Sequence, residues 1–194
     1  MKKLEFVYKE ILYQAIERKN RKLTQSELAK SIGISLSTVN HAISPLRQMG
    51  AVRVKLRSFE IVDIKKILVY WASIRNLQKD IIYATRVEMP VIEIEKSMPE
   101  EAIFAAYSAY KFLFHDVPAD YSEVYVYGSE DLKERFPKTK GIPNLFVLKK
   151  DSTIEKYGKT TTRANTFIDL WNLQEWYAKE FLKAMEARLH GILE

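Results

Sequence analysis

Between Thr24 and Met49 the sequence leaves room for little except two short helices crossing at a tight turn. Thr24-Gln25-Ser26-Glu27 has the form of a capping box. The Thr24 hydroxyl can accept from the amide of Glu27 while the Glu27 carboxylate reaches back. A helix starting there is expected to run to about Ser31. Gly33 follows, between Ile32 and Ile34, and its lack of a Cβ suits the positive φ of a tight turn. Ser35 is placed to cap a second helix that runs to about Met49 and stops at Gly50. Two helices can cross closely only over a small residue, with a branched apolar side chain opposite. Ala29 and Val39 occupy those places, and Leu28, Ile34 and Ile43 fill the core between them.

The flanking segments extend this pattern. Leu4 to Ile16 carries helical periodicity, with Leu4, Val7, Ile11, Leu12, Ala15 and Ile16 on one side. After Gly50, residues 51–57 alternate strictly, with Val52, Val54 and Leu56 on one face and Arg53, Lys55 and Arg57 on the other. That reads as a half-buried strand, with Phe59 to Val62 as its return. Asp63 to about Ile82 reads as a long amphipathic helix, with Ile64, Leu68, Trp71, Ile74, Leu77 and Ile81 on one face. It serves either as a dimer contact or as packing against its own chain.

The spacing Ala29-x3-Gly33-x5-Val39 resembles the DNA-binding helix-turn-helix. With the strand pair behind it, residues 1–82 are similar to the winged helix of MarR- and ArsR-like regulators. The resemblance implies a sequence-specific DNA-binding transcriptional regulator, a repressor in its simplest form. Its recognition helix, residues 35–48, lies in the major groove, and its basic wing, residues 51–62, lies on the backbone. Val39, Ala42, Ile43 and Leu46 face inward at helical spacing. That leaves Ser37, His41, Ser44 and Gln48 on the outer stripe, flanked by Thr38, Asn40 and Arg47. Asn40 has the two-point geometry for adenine, and Thr38 a methyl for thymine. The helix start at Ser35–Ser37 offers amides to a phosphate. Arg53, Lys55 and Arg57 reach phosphate or the minor groove, the alternative being a solvated edge strand. For each of these side chains plain solvent exposure is the competing reading. Pro45 lacks an N–H and crowds the turn before it, so a kink or an early helix end is expected there.

Charge agrees with this division. The net charge is +6. Residues 1–82 hold 16 Lys and Arg against 7 Asp and Glu, a balance of +9, and residues 83–194 hold 15 against 18, a balance of −3. The excess that would attract a polyanion sits in the first part. There is no cysteine, so disulfides and thiolate metal sites are excluded. His41, His115 and His190 match no ligand spacing. No apolar run approaches the roughly 20 residues of a membrane span, and no signal-peptide core follows Met1-Lys2-Lys3. The chain therefore reads as cytoplasmic, with no cofactor, no metal and no membrane contact.

Residues 83–194 read as α/β. Val91–Ile94, Glu123–Tyr127, Asn144–Leu148 and Thr166–Leu170 are expected strands. Pro99 begins a buried helix that covers Ala102 to Phe114, and Asn172 with Glu175 caps a final helix to about His190, ended by Gly191. Tyr127-Gly128-Ser129, after a strand, resembles the Gly-Ser loop of nucleotidyltransferases. That chemistry also needs carboxylates on the next strand to hold two metal ions. Asn144-Leu145-Phe146-Val147 supplies none, and Asp169 is the one acid placed to serve. A winged helix followed by a nucleotidyltransferase-like domain without its acids looks like the AbiEi-type antitoxins and like archaeal regulators of similar build. That resemblance implies an autorepressor with a toxin partner as the alternative function, and a nucleotidyltransferase-like enzyme acting on RNA or protein as the remaining one.

The expected fold is α+β: an N-terminal winged helix-turn-helix with a linker helix over 63–82, then an α/β nucleotidyltransferase-like domain over 83–194. No catalytic residue is assigned and the second domain is an interaction or sensor module. Expected partners are double-stranded DNA, a second copy of the chain and a protein that meets the C-terminal domain. The aromatic residues crowded there, from Tyr107 to Phe181, read as core rather than as a stacking surface for RNA.

Overall fold

A computed structural model describes residues 1–193 and divides them into two compact units: Met1–Arg75 together with the chain from Glu186 onward, and Asn76–Met185. The first unit starts with α1 (Lys3–Ile16), then β1 (Lys22–Leu23), α2 (Gln25–Ile32), α3 (Leu36–Gln48), β2 (Val52–Val54), β3 (Phe59–Ile61) and α4 (Ile64–Ile74). Helix α1 touches α2, α3 and α4. Its Val7, Ile11 and Leu12 are fully buried, as are Val39 and Leu46 of α3 and Trp71 of α4. The three short strands form an antiparallel sheet in the order β1-β3-β2.

The local signals of the helix-turn-helix are met, except that the Glu27 carboxylate accepts from the Thr24 hydroxyl instead of from the Thr24 amide. Thr24 Oγ1 accepts the amide of Glu27 at 3.1 Å, and the two side chains bond at 2.8 Å. Gly33 adopts φ +66°, which a side chain would disfavour. Asp63 caps α4 by accepting the amide of Lys66.

Helix α4 ends at Ile74, not at Ile82. Arg75 and Asn76 are extended, and Asn76 Oδ1 caps a new 3-10 turn by accepting the amide of Lys79. Residues from Ile81 onward are drawn into a sheet instead. The division between the units falls just after this helix. Trp71, offered as a dimer contact, is fully buried and donates to Glu5 Oε2 at 3.0 Å, so its face packs within its own chain.

The second unit is built on a mixed sheet of β4 (Ile81–Thr85), β5 (Ile103–Ala105), β6 (Val124–Gly128) and β7 (Leu145–Lys149), in the order β4-β7-β6-β5. Only β6 and β7 run parallel; the other pairs are antiparallel. This unit also holds α5 (Val91–Lys96), α6 (Ala106–Phe114), α7 (Leu132–Arg135) and α8 (Arg163–Trp171), and α9 (Ala178–Leu193) begins in it, its residues from Glu186 onward counting with the first unit. Strands β6 and β7 lie within one residue of their expected places.

Four other expectations are corrected. Val91–Ile94 is helical because Pro90, at φ −58°, starts a turn whose carbonyl accepts from Glu93 and Ile94. Ile103–Ala105 is a strand paired with Tyr125–Tyr127, so the helix begins only at Ala106. An apolar run without periodicity does not distinguish the two states. Thr166–Leu170 lies inside α8, whose start is capped by Thr162 Oγ1 accepting the amide of Asn165 at 3.2 Å. The Thr166 hydroxyl donates back to the Thr162 carbonyl at 3.0 Å, a helical bond open to threonine. Finally, α9 starts at Ala178 and continues through Gly191.

Of the crowded aromatics, Tyr107, Tyr110, Tyr125, Tyr127 and Phe181 are buried, while Phe112, Trp171 and Trp176 are exposed. Tyr107 and Tyr110 pack against Phe181 with ring centres 5.0 and 5.2 Å apart. Among the described residues no helix is long and apolar enough to cross a membrane.

Candidate nucleic-acid interface

Helix α3 separates its two faces as the spacing requires. Val39, Ala42, Ile43 and Leu46 are buried, whereas Ser37, Asn40, His41, Ser44, Arg47 and Gln48 are exposed. Ser35 and Thr38 are engaged with each other at the helix start. Ser35 Oγ accepts the amide of Thr38 at 3.1 Å, and the two hydroxyls lie 2.8 Å apart. Both side chains therefore shape the first turn, and the hydrogen-bonding groups turned outward begin at Ser37.

Pro45 does not end the helix, which continues through Arg47 to Gln48. Proline removes one hydrogen bond, to the carbonyl of His41 on the exposed side. Ile43 and Leu46, both buried, hold the last turn in place. Arg47 and Gln48 thus stay on the same helix as Asn40 and His41.

The wing differs from its pattern. Only residues 52–54 pair as a strand, because Lys55 N–H donates to the Ser58 carbonyl at 2.7 Å and closes the hairpin. Val52 is buried, but Val54 is 39% exposed and Leu56 98% exposed. The alternation predicts a strand of seven residues and does not reveal where the chain turns.

The cations of the wing also share an anion that sequence spacing missed. In the antiparallel register Glu60 lies opposite both Lys22 and Arg53. Its carboxylate pairs with Lys55 Nζ at 2.9 Å and lies 3.9 Å from Arg53 Nη1. Lys55, by hydrogen bond and by charge, is the main reason this carboxyl ionises below its usual range, with Arg53 and Lys22 adding to it. Arg57 has no carboxylate partner among the described residues. A signal for this was present: Glu60 is the one acid in the hairpin, and pairing register puts it among the cations.

Glu60 therefore competes with phosphate for Lys55 and Arg53. Glu60→Gln is expected to tighten binding to duplex DNA several-fold, measured by fluorescence anisotropy. A depressed carboxyl pKa means that the pairing is complete above the ordinary carboxylate range and is lost only as pH falls through the lowered value. The gain from Glu60→Gln should accordingly stay constant across neutral pH. An unchanged affinity would remove Lys55 from the interface.

Between the wing and the helix starts lies a cleft of about 420 Å³. Thr24, Gln25 and Ser26 line one side with Leu36, and Val54 and Leu56 line the wing side.

Asp169 and Asn144 of the second unit are occupied structurally. Asp169 is on α8, not on a strand, and is fully buried. It accepts from the Tyr127 hydroxyl at 3.0 Å and from Asn165 Nδ2 at 2.9 Å. Asn144, just before β7, clamps the backbone of Val87. Its Oδ1 accepts the Val87 amide at 2.7 Å and its Nδ2 donates to the Val87 carbonyl at 3.0 Å. Gly128 packs tightly, since a Cβ there would lie 2.6 Å from Leu132 Cδ1. Among the described residues no group of three or more His, Cys, Asp or Glu side chains is placed to hold a metal ion.

The chain matches no curated protein and no solved structure. Residues 9–53, from the middle of α1 into β2, match the family model for winged helix-turn-helix DNA-binding domains, so the first unit carries a winged helix-turn-helix of the DNA-binding kind.

Proposed function

We propose that the protein is a sequence-specific transcriptional regulator, a repressor that acts in the cytoplasm as a homodimer on double-stranded DNA. The observation that carries this reading is the exposed face of α3. Six polar side chains, Ser37, Asn40, His41, Ser44, Arg47 and Gln48, stand together on a helix whose other face is locked into the core. They are short or hydrogen-bonding groups, suited to base edges in a major groove. Arg53, Lys55 and Arg57 stand on the neighbouring wing and supply backbone contacts. Dimerisation follows from size: a single module buries roughly 600–1,000 Å² on DNA, and two-fold repetition of the site supplies the remaining affinity.

The second unit is a non-catalytic module for a protein partner or a small effector. Two features support this. Asp169 is shut away beneath Tyr127 and Asn165, and Asn144 is committed to the Val87 backbone. Neither is free to orient a nucleotide.

The test is selection of duplexes from a randomised pool by the full chain, followed by the same selection with Asn40→Ala. The wild type should enrich a two-fold related motif. Asn40→Ala should lose discrimination at one base pair of each half-site, worth about 1–3 kcal/mol, with little change elsewhere. Enrichment of an identical motif by both proteins would take Asn40 out of base reading, and enrichment of nothing by the wild type would end the regulator reading.

A further inference from the structure

Leu56 stands at the tip of the β2–β3 hairpin and is 98% exposed. A single exposed leucine is ordinary. Its surroundings set this one apart. Lys55 and Arg57 flank it directly, and Arg53 and Lys22 lie on the same small sheet. An apolar tip among four cations and a single acid, Glu60, is poorly suited to another protein's apolar surface, because those charges would lose their hydration. A polyanion with an apolar interior complements both properties, and duplex DNA is such a partner: phosphates outside, stacked bases within.

The cleft beside the tip gives the direction of approach. It is bounded by the start of α3 at Leu36 and by the wing at Val54 and Leu56, with Gln25 and Ser26 at its polar end. The ridge separating major from minor groove is one sugar-phosphate strand. With α3 in the major groove, that strand occupies the cleft. Its deoxyriboses meet Leu36 and Val54, which are 52% and 39% exposed, and its phosphates meet Lys55 and Arg57. The hairpin tip lies beyond the strand and so opens on the adjacent minor groove.

We propose that Leu56 is a wedge that enters this minor groove, partly unstacks one base step and bends the duplex. The inference rests on the DNA-binding reading above and deepens it. Apolar wedges flanked by cations are a general means of kinking DNA. Pyrimidine–purine steps unstack most easily, so the wedge selects TA or CA steps without a hydrogen bond to any base. Leu56 is then a specificity-determining residue that acts through deformability, beside the α3 face that acts through base edges.

The experiment uses duplexes enriched by the full chain from a randomised pool, labelled at both ends for energy transfer. Binding of the wild type should bend them by roughly 20–90°, and the enriched pool should hold a flexible step at a fixed offset from the α3 motif. Leu56→Ser should abolish the bend and the step preference while leaving the α3 motif and the salt dependence intact. Leu56→Met should keep the bend. The side chain makes no core contact, so unchanged circular dichroism of Leu56→Ser is expected and serves as the folding control. A straight wild-type complex, or a bend that survives Leu56→Ser, overturns the wedge while the regulator reading stands. A shift in sedimentation of the free chain on Leu56→Ser, with the bend retained, would assign the tip to contact between copies and likewise overturn it. Failure to enrich any duplex would defeat the regulator reading itself, and the wedge with it.

Discussion

Glu5→Ala is expected to lower the unfolding free energy by about 3–5 kcal/mol, the usual cost of removing one member of a buried ion pair. Glu5 lies on the first turn of α1 and is almost fully buried. One carboxylate oxygen accepts the Lys2 amide at 2.9 Å and caps the helix. The other accepts from Trp71 Nε1 at 3.0 Å and lies 3.6 Å from Arg75 Nε. The Arg75 side chain is 1% exposed, so truncating Glu5 leaves a guanidinium in the interior. Chemical denaturation followed by circular dichroism measures the loss. The double variant Glu5→Leu with Arg75→Met removes both charges and should recover most of it. A loss below about 1 kcal/mol in Glu5→Ala would mean that water reaches Arg75 and that the pair holds little of the α1–α4 packing.

Arg53→Ala combined with Arg57→Ala should weaken binding to every duplex alike. Phosphate contacts carry no sequence information, and each one neutralised releases counterions. The slope of log affinity against log salt should fall in magnitude by about 1.8, at roughly 0.9 per phosphate lost. The motif enriched in selection should not change. A slope equal to that of the wild type would place both arginines away from the backbone. A changed motif would instead make them base readers in the minor groove. Neither substitution threatens folding, since both side chains are exposed and Val52, the buried residue of that strand, is untouched.

The helix-turn-helix was legible because its determinants are local. Thr24, Gly33 and Ser35 act within three or four residues along the chain, and one helical repeat sorts Val39, Ala42, Ile43 and Leu46 from Asn40 and His41. The remainder depended on partners distant in sequence. Val91–Ile94 and Thr166–Leu170 carry β-branched residues and still form helices, because a proline at one start and a threonine cap at the other set the backbone. Ile81–Thr85 extends an apolar helical stripe but pairs with Leu145–Leu148, a partner sixty or more residues away. The candidate site divides in the same manner. The polar face of α3 follows from spacing alone. That Ser35 and Thr38 satisfy each other, that Glu60 sits among the wing cations, and that Leu56 tops the hairpin depend on hydrogen bonds and register that no linear period encodes.

The Glu60 carboxylate has one more effect. By drawing Lys55 and Arg53 toward the central strand β3, it narrows the rotamers of two long side chains. Ordering such a chain on association costs about 0.5–1.5 kcal/mol. On the proposed function the wing would meet phosphate already extended, and exchanging one anion for another would take little further loss of side-chain freedom.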